Sequence, residues 1–467
     1  MRAGLLALGM MAFAVPAAAQ ELTPDRAAFR ALYEEMVEID SSPTTGSCTR
    51  VAEAVATRLR AAGYGDENVH VVIPDGRPDD GNVVATLAGT QRRAGAILLL
   101  AHIDVVDARR EDWERDPVTL VEENGYFYGR GTADDKAMAA VFADLMIRMR
   151  QENFRPRRTI KMALTCGEET SNRVNGVDYL IQNHRELIQA DFAINEGAGG
   201  LLSEDGRAIA LQVQAGEKIH QVYQLEVTNP GGHSSRPVAD NAIYRLSAGL
   251  ERLSAYQFPL EINPVVRGFF GAMAPLTEQT AMADAMFAIA ANPNDADAAA
   301  RLAEEPSFNA MMRTTCVATQ LDAGHAPNAL PQRARAILSC RVMQGTTPEQ
   351  VLARLQDVLG DDQIHVEIVR RRDGSQAPRL TRQILGPVER AAARLWPGAP
   401  IVPTMTAGAT DGRYLNTAGI PTYGMSGMFA QPGETNAHGL NEKIRVISLY
   451  QGRDFLESIV RDYARQD

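Results

Sequence analysis

The sequence predicts an α/β fold: a mixed, largely parallel sheet with helices on both faces, carrying an inserted α+β domain. Three observations lead there. Residues 97–101 form a short, wholly apolar run, of the kind buried on both faces of a parallel sheet. Helical and strand textures alternate on either side of it. Near residue 215 the texture changes to half-buried alternation, and it changes back after about residue 375. A chain of 467 residues is also too long for one ordinary core.

Residues 1–19 read as a secretory signal. Arg2 supplies the positive end, residues 5–15 the apolar stretch, and Ala17-Ala18-Ala19 a small-residue cleavage site. An uncleaved anchor is the alternative, but the stretch is short for a membrane span. The expected location is therefore periplasmic or secreted, with no membrane contact after cleavage. Residues 27–39 and 48–59 carry apolar side chains at helical spacing, and Gly63 and Gly65 close the second helix. Residues 69–73 and 82–87 read as strands, followed by the apolar run, which ends at His102.

Residues two apart in a strand share a face, so His102 and Asp104 point the same way. That suits a metal-bound imidazole oriented by a carboxylate. A core histidine beside a turn aspartate is the plainer alternative. Next, Gly129-Arg130-Gly131-Thr132-Ala133-Asp134-Asp135-Lys136 leads a strand through a glycine turn into a helix over 137–150. One of the two acids would serve as its N-cap, leaving the other free. The strand 159–165 ends in Cys166-Gly167-Glu168-Glu169, and the strand 190–194 in Asn195-Glu196-Gly197. Adjacent carboxylates repel unless a cation lies between them or one is protonated. Ligands gather at the carboxyl ends of strands in open α/β sheets, and three such ends carry His102, Glu168 with Glu169, and Glu196.

Residues 216–375 form the inserted domain. Strands at 219–228, 313–321, 333–342 and 364–370 and helices at 241–253 and 348–359 give the order β-α-β-β-α-β. That order predicts a ferredoxin-like four-stranded antiparallel sheet with two helices. The Ala- and Met-rich stretch 267–312 reads as a helical insert within it, its methionines serving packing. Residues 376–467 rejoin residues 20–215 in the first domain and end in a helix at 447–465.

A net charge of −11, with no basic cluster interleaved with aromatics, argues against nucleic acid as a partner. Cys166 has no neighbouring histidine to activate it and reads as a buried strand residue rather than a nucleophile. Cys316 and Cys340 lie in two strands that could face each other, and export would permit a bridge.

His102, Asp134, Glu169, Glu196 and His438 form a candidate ligand set. Nitrogen and carboxylate donors without thiolate suit Zn²⁺, with Co²⁺ or Mn²⁺ as substitutes. Five ligands are too many for one catalytic zinc with an open position, but they fit two ions bridged by one carboxylate. Three carboxylates and a bridging hydroxide would balance two Zn²⁺. Such a pair would lower the pKa of the shared water and polarise a carbonyl. A carboxylate outside the ligand set must then carry the proton, and Glu168 is the candidate.

With these motifs in place, the chain resembles the di-zinc metallopeptidase family of glutamate carboxypeptidase, succinyl-diaminopimelate desuccinylase, carboxypeptidase S and the aminoacylases. The resemblance spans nearly all of residues 20–467. It rests on the segments around His102, Asp134, Glu168, Glu196 and His438, together with Gly232-His233-Ser234-Ser235 and Asn328-Ala329-Leu330-Pro331. It implies that Asp134 bridges two metals, that His102 and Glu196 complete one site, and that Glu169 and His438 complete the other. Asp104 would orient His102, and Glu168 would act as general base and acid. His233 would stabilise the oxyanion, often in a partner subunit's site, and Arg341 and Asn328 would hold the substrate. Asp411 and Arg413 would support the site from behind. The inserted domain becomes a lid/dimerisation domain, which admits a homodimer. Ala137 departs from the glycine that many relatives carry after the Lys, a change that leaves the metals untouched.

The implied activity is hydrolysis of an amide bond near a free carboxylate, in a small peptide or an N-acyl amino acid. A non-catalytic binding protein of the same fold is opposed by the presence of Glu168 beside the full ligand set. A serine hydrolase built on Ser234 or Ser235 lacks the strand–turn–helix elbow such a nucleophile needs.

Overall fold

The computed structural model describes residues 22–466 apart from 373 and 375, so the proposed signal segment lies outside the described residues. No described helix is long and apolar enough to cross a membrane.

The apolar run forms the strand Ala96–His102. Its alternate residues enter different cores. Ile97, Leu99 and Ala101 join one cluster, and Leu98 and Leu100 join another. Both faces are therefore covered, which is why the run has no polar position before His102. The strand pairs in parallel with Thr159–Thr165 and Phe192–Asn195, and Phe192–Asn195 pairs in parallel with Thr422–Gly424. Towards one edge, Asn82–Leu87 and Val69–Val72 continue the sheet antiparallel. On the other side Ala208–Glu217 pairs in parallel with Ile401–Thr406. The ten-stranded sheet is thus parallel at its centre and antiparallel over much of its flanks. Helices Pro24–Glu38, Cys48–Ala61, Lys136–Gln151 and Val446–Arg465 cover one face. Gly176–Asn183, Arg185–Ile188 and Gly412–Thr417 cover the other.

The smaller domain has the β-α-β-β-α-β order. Its sheet runs Thr315–Ala323, Arg333–Val342, Ile219–Thr228, His365–Arg370, antiparallel throughout. Ile219–Thr228 alternates buried and half-buried residues, as an amphipathic strand must. Tyr223, Leu225 and Val227 pack with Leu246, Leu253, Leu355 and Leu359 of the helices Ala242–Ala255 and Pro348–Leu359. Thr315–Ala323 starts two residues later than its pattern suggests. Arg313 and Thr314 are buried and diverted: Arg313 donates to the Phe258 carbonyl at 3.2 Å, and Thr314 accepts from Met343 N at 3.1 Å.

The helical insert behaves differently from its expected place in the smaller domain. Helices Pro264–Met273, Thr280–Ala291, Ala296–Leu302 and Pro306–Met312 turn Val266, Phe270, Met286, Ile289, Leu302 and Met312 into the larger core. Pro264–Met273 lies so close to Ile401–Thr406 that a Cβ at Gly268 would sit 2.8 Å from Pro403 Cγ. Helical periodicity reveals an apolar face but not the surface that will cover it. Lys218, fully buried at the junction, donates to the carbonyls of Ala310 at 2.8 Å and Arg313 at 2.7 Å, tying the insert to the domain boundary.

Candidate metal centre

The polar residues that end the parallel strands converge. His102 is 2 % exposed. Its Nε2 lies 3.1 Å from Asp134 Oδ1 and 3.8 Å from Glu196 Oε2. Asp134 Oδ2 lies 3.1 Å from His438 Nε2, which is 2.9 Å from Glu169. Asp134 therefore links the two histidines through its two oxygens. Glu168 offers a donor within 4.8 Å of those of His102 and Glu196.

These separations fit metal ligation. Two ligands of a tetrahedral zinc, each about 2.1 Å from the ion, lie about 3.4 Å apart. The gaps of 2.9 and 3.1 Å are a few tenths of an ångström shorter, as when hydrogen bonds close the cluster, and the 3.8 Å between His102 and Glu196 is somewhat longer. In the protein alone, protons do the neutralising. Burial, then the Glu196 carboxylate, pushes Glu168 up to about 9. Burial, with the Asp134 carboxylate adding to it against the pull of His102, pushes Glu196 up to about 8. Hydrogen bonds to Asp134 and Glu169 raise His438 to about 10. A buried group of acids that must borrow protons to stay together is a site for cations.

The loop carrying Asp134 is held from beneath by Glu442. That carboxylate is 0 % exposed. It accepts from Arg130 Nη1 at 2.7 Å and from the amides of Gly131, Ala133 and Asp134 at 3.0, 2.8 and 3.0 Å. Gly131 has φ +85°, and a Cβ there would meet Val105 Cγ1 at 2.7 Å, so the turn requires glycine. Breaking such a buried pair leaves an uncompensated charge, at a cost of about 3–5 kcal/mol. On the other side, His438, Asn436 and Asn441 adopt left-handed φ of +62°, +53° and +54°. Strained non-glycine backbone of this kind accumulates where a loop must aim a side chain.

Two expected roles change in detail. Asp104 is fully buried, but its carboxylate accepts from the amides of Glu168 at 3.3 Å and Glu169 at 3.0 Å. The Asp104 backbone carbonyl, 3.0 Å away, takes the His102 Nδ1 proton, while the carboxylate stays 3.6 Å off. Asp104 thus fixes both the histidine and the paired glutamates. Asp135 occupies the N-cap position of Lys136–Gln151, yet neither acid caps it with a side chain. Asp135, next to Asp134 in the chain, is buried, and among the described residues its Oδ2 has no hydrogen-bond partner.

The residues assigned to the smaller domain stand apart. His233 is exposed, on a two-residue ribbon with Ala329–Leu330. Its Nδ1 accepts from Ser235 N at 3.2 Å and bonds Ser235 Oγ at 2.8 Å. Asn328, also exposed, supports that loop through its carbonyl, which accepts from Ser234 N at 3.0 Å. Among the described residues no hydrogen bond or ion pair joins either one to the cluster. Arg341 lies opposite His220 in the sheet, half-buried, its guanidinium pKa lowered by burial and by Arg413. Asp411 is buried and accepts from Asn175 Nδ2 at 2.6 Å and Thr165 Oγ1 at 3.3 Å.

Sequence reasoning missed three features. Cys166 is buried but bonded to Cys48, across 118 residues, whereas Cys316 and Cys340 form the expected pair. Glu442 belongs to a segment singled out for its histidine, and the glutamate four residues on was the overlooked signal. Thr410 receives Asn195 Nδ2 at 3.1 Å and donates to Glu217 through its amide at 2.6 Å. That chain steadies the residue preceding Glu196.

Residues 98–462 match the model of Peptidase family M20/M25/M40. The chain belongs to that family. It is therefore a hydrolase of the metallopeptidase and amidohydrolase kind, and it carries candidate ligands for the family's dinuclear metal site. It is 30 % identical over 379 residues to the N-fatty-acyl-amino acid synthase/hydrolase PM20D1 of Bos taurus, covering 77 % of this chain and 73 % of that protein. It shares the fold of the M20 family metallo-carboxypeptidase Sso-CP2 from Sulfolobus solfataricus, with a TM-score of 0.66 and 19 % identity, covering 95 % of this chain and 100 % of that one. It also resembles the Bacillus subtilis YXEP protein, described as a dinuclear metal-binding M20 peptidase, with a TM-score of 0.57 and 11 % identity, covering 94 % and 98 % of the two chains.

Proposed function

We propose that this M20 protein is an exported, zinc-dependent amidohydrolase of the carboxypeptidase or dipeptidase type, cutting an amide bond next to a free carboxylate. The observation that carries the reading is Asp134 joining His102 and His438, with Glu168 beside them. His102 and Glu196 would hold one ion, Glu169 and His438 the other, and Asp134 both. Bound there, the ions would supply a water of lowered pKa and polarise the scissile carbonyl. Glu168 takes the proton of the attacking water and returns it to the leaving nitrogen. Arg341 receives the free carboxylate. His233, its Nε2 open, stabilises charge on the carbonyl oxygen after the smaller domain closes, or acts from a second copy. Two disulfides and the character of residues 1–19 support export.

A second reading, hydrolysis of N-acyl amino acids, is favoured by a cavity of about 410 Å³ beside Asp134 and Glu196. Met138, Met428, Phe429 and Ile444 give it apolar walls suited to an acyl chain, and the cattle relative bears an N-fatty-acyl-amino acid name. Both readings require the same chemistry. Glu168→Gln should keep its zinc by elemental analysis and lose about 10³-fold in kcat on whichever substrate is cleaved. Full turnover in that variant would overturn the mechanism. Dipeptides and N-acyl amino acids assayed side by side, with and without chelator, decide between the two.

A further inference from the structure

Behind Asp411, on the face of the sheet away from the larger core, lies a crevice of about 420 Å³. Its walls carry Arg185, Arg370, Arg371, Arg372, Arg413 and Tyr414, with Asp178 as the acid among the lining residues. Asp178 opens a helix and accepts from Gln182 at 2.8 Å. Arg371 pairs with Glu349. Arg185 bonds only neutral oxygens, those of Gln189 at 2.9 Å and Ala418 at 2.7 Å. Among the described residues, Arg370 and Arg372 carry no carboxylate partner. Arg413 stacks over Tyr414 at 4.5 Å, and its Nε is buried without an acceptor.

The cations come from both domains. Arg370 ends the last strand of the smaller domain. Arg372 is fixed to that domain by Gln221, which accepts from its amide at 3.3 Å and donates to its carbonyl. Arg185 and Arg413 stand on helices of the larger domain. Arg372 and Arg413 are half-buried and Arg185 and Arg370 exposed; Asp411 offsets Arg413 in part, whereas burial, then the neighbouring guanidinium groups of Arg413 and Arg370, lowers the pKa of Arg372. A net charge of −11 does not cancel this local field, because charges beyond about 10 Å are largely screened at 0.1 M salt. Guanidinium forks match oxyanions in pairs of parallel hydrogen bonds.

We propose that this crevice is an oxyanion site, in which Arg370 and Arg372 on one side and Arg413 and Arg185 on the other clasp a polyvalent carboxylate or phosphate across the domain junction. The anion is either a second carboxylate carried by an acidic substrate or a free anion such as inorganic phosphate. Binding would hold the two domains at a fixed angle.

The test uses the metal-loaded full chain and inorganic phosphate at constant ionic strength, read by thermal unfolding. The wild type should show a saturable rise in Tm of about 2–4 °C. Arg370→Gln/Arg372→Gln should lose that rise while keeping hydrolysis of an uncharged-side-chain substrate within about twofold. Its phosphate-free Tm should be unchanged or higher, since like-charge repulsion is relieved. Arg370→Lys/Arg372→Lys, which keeps charge but not the fork, should bind phosphate about tenfold more weakly. A phosphate response of full size in the Gln variant would show that the anion sits elsewhere, the metals included, and would overturn the proposal. So would a non-saturating response in the wild type. The source is read from two substrates differing only in a side-chain carboxylate. If the substrate supplies the anion, the Gln variant loses about tenfold in kcat/KM on the acidic one alone, and phosphate competes with it. If the anion is free, phosphate alters both substrates alike. The binding arm is independent of the amide-hydrolysis reading, so either can fail without the other.

Discussion

The two domains hold their candidate functional histidines in opposite ways. His102 closes a strand buried on both faces, and both of its ring nitrogens are engaged, by the Asp104 carbonyl and by Asp134. His233 rides an exposed two-residue ribbon, where among the described residues its ring is engaged through Nδ1 alone, by Ser235. The larger sheet therefore supplies a site whose geometry is fixed before substrate arrives. Under the proposed function, the smaller domain would supply groups that become useful only on closure or on meeting another copy. Fixed charge belongs on rigid strand ends, where burial makes each interaction strong. A donor to a developing oxyanion belongs on something that moves.

Substitutions at the two histidines test this contrast most strongly. His102→Ala should lose metal and reduce kcat/KM at least about 10³-fold. His233→Ala should keep full metal content and its Tm, while kcat falls on the order of 10²-fold. Metal loss in the second variant would mean that the two domains share one rigid site. The disulfides give a smaller, subtler comparison. Cys48–Cys166 closes 118 residues of the larger domain and Cys316–Cys340 closes 24 of the smaller. Loop entropy predicts that replacing the first pair by Ala costs about 5 kcal/mol and the second about 3 kcal/mol. Denaturant unfolding of the two double variants would read the difference, and equal losses would remove loop length as the cause.

Three of the five candidate ligands were legible because an apolar strand has no reason to end in polar, ligand-type residues unless they are used; Asp134 and His438 were singled out through the family resemblance. His102, Glu169 and Glu196 each follow such a strand. The smaller domain was legible from period-two alternation alone, down to the bounds of Ile219–Thr228 and Arg333–Val342. What escaped depends on contacts between distant segments. The Cys48 bridge requires a helix start to meet a strand end. Glu442 acts on amides more than 300 residues earlier. The helical insert joins the larger core because Pro264–Met273 finds Ile401–Thr406, and no periodicity encodes that choice. Asp104 was placed near the right partner but credited with the wrong atom, since a side chain's type does not say whether its backbone or its carboxylate makes the bond.

The most direct test of the account is calorimetric titration of the metal-free protein with Zn²⁺ at pH 7, in buffers of different ionisation heat. The sign follows from the raised pKa values. Glu196 at about 8 and His438 at about 10 are protonated at pH 7 without metal, as is His102, which, against burial, the Glu196 and Asp134 carboxylates hold well above its usual range, and all three must lose a proton to ligate. Affinity should therefore rise with pH and weaken as pH falls. Two ions per chain should bind, with release of about three protons from these ligands on filling both sites. A single ion per chain, or binding without proton release, would contradict a two-ion centre bridged by Asp134.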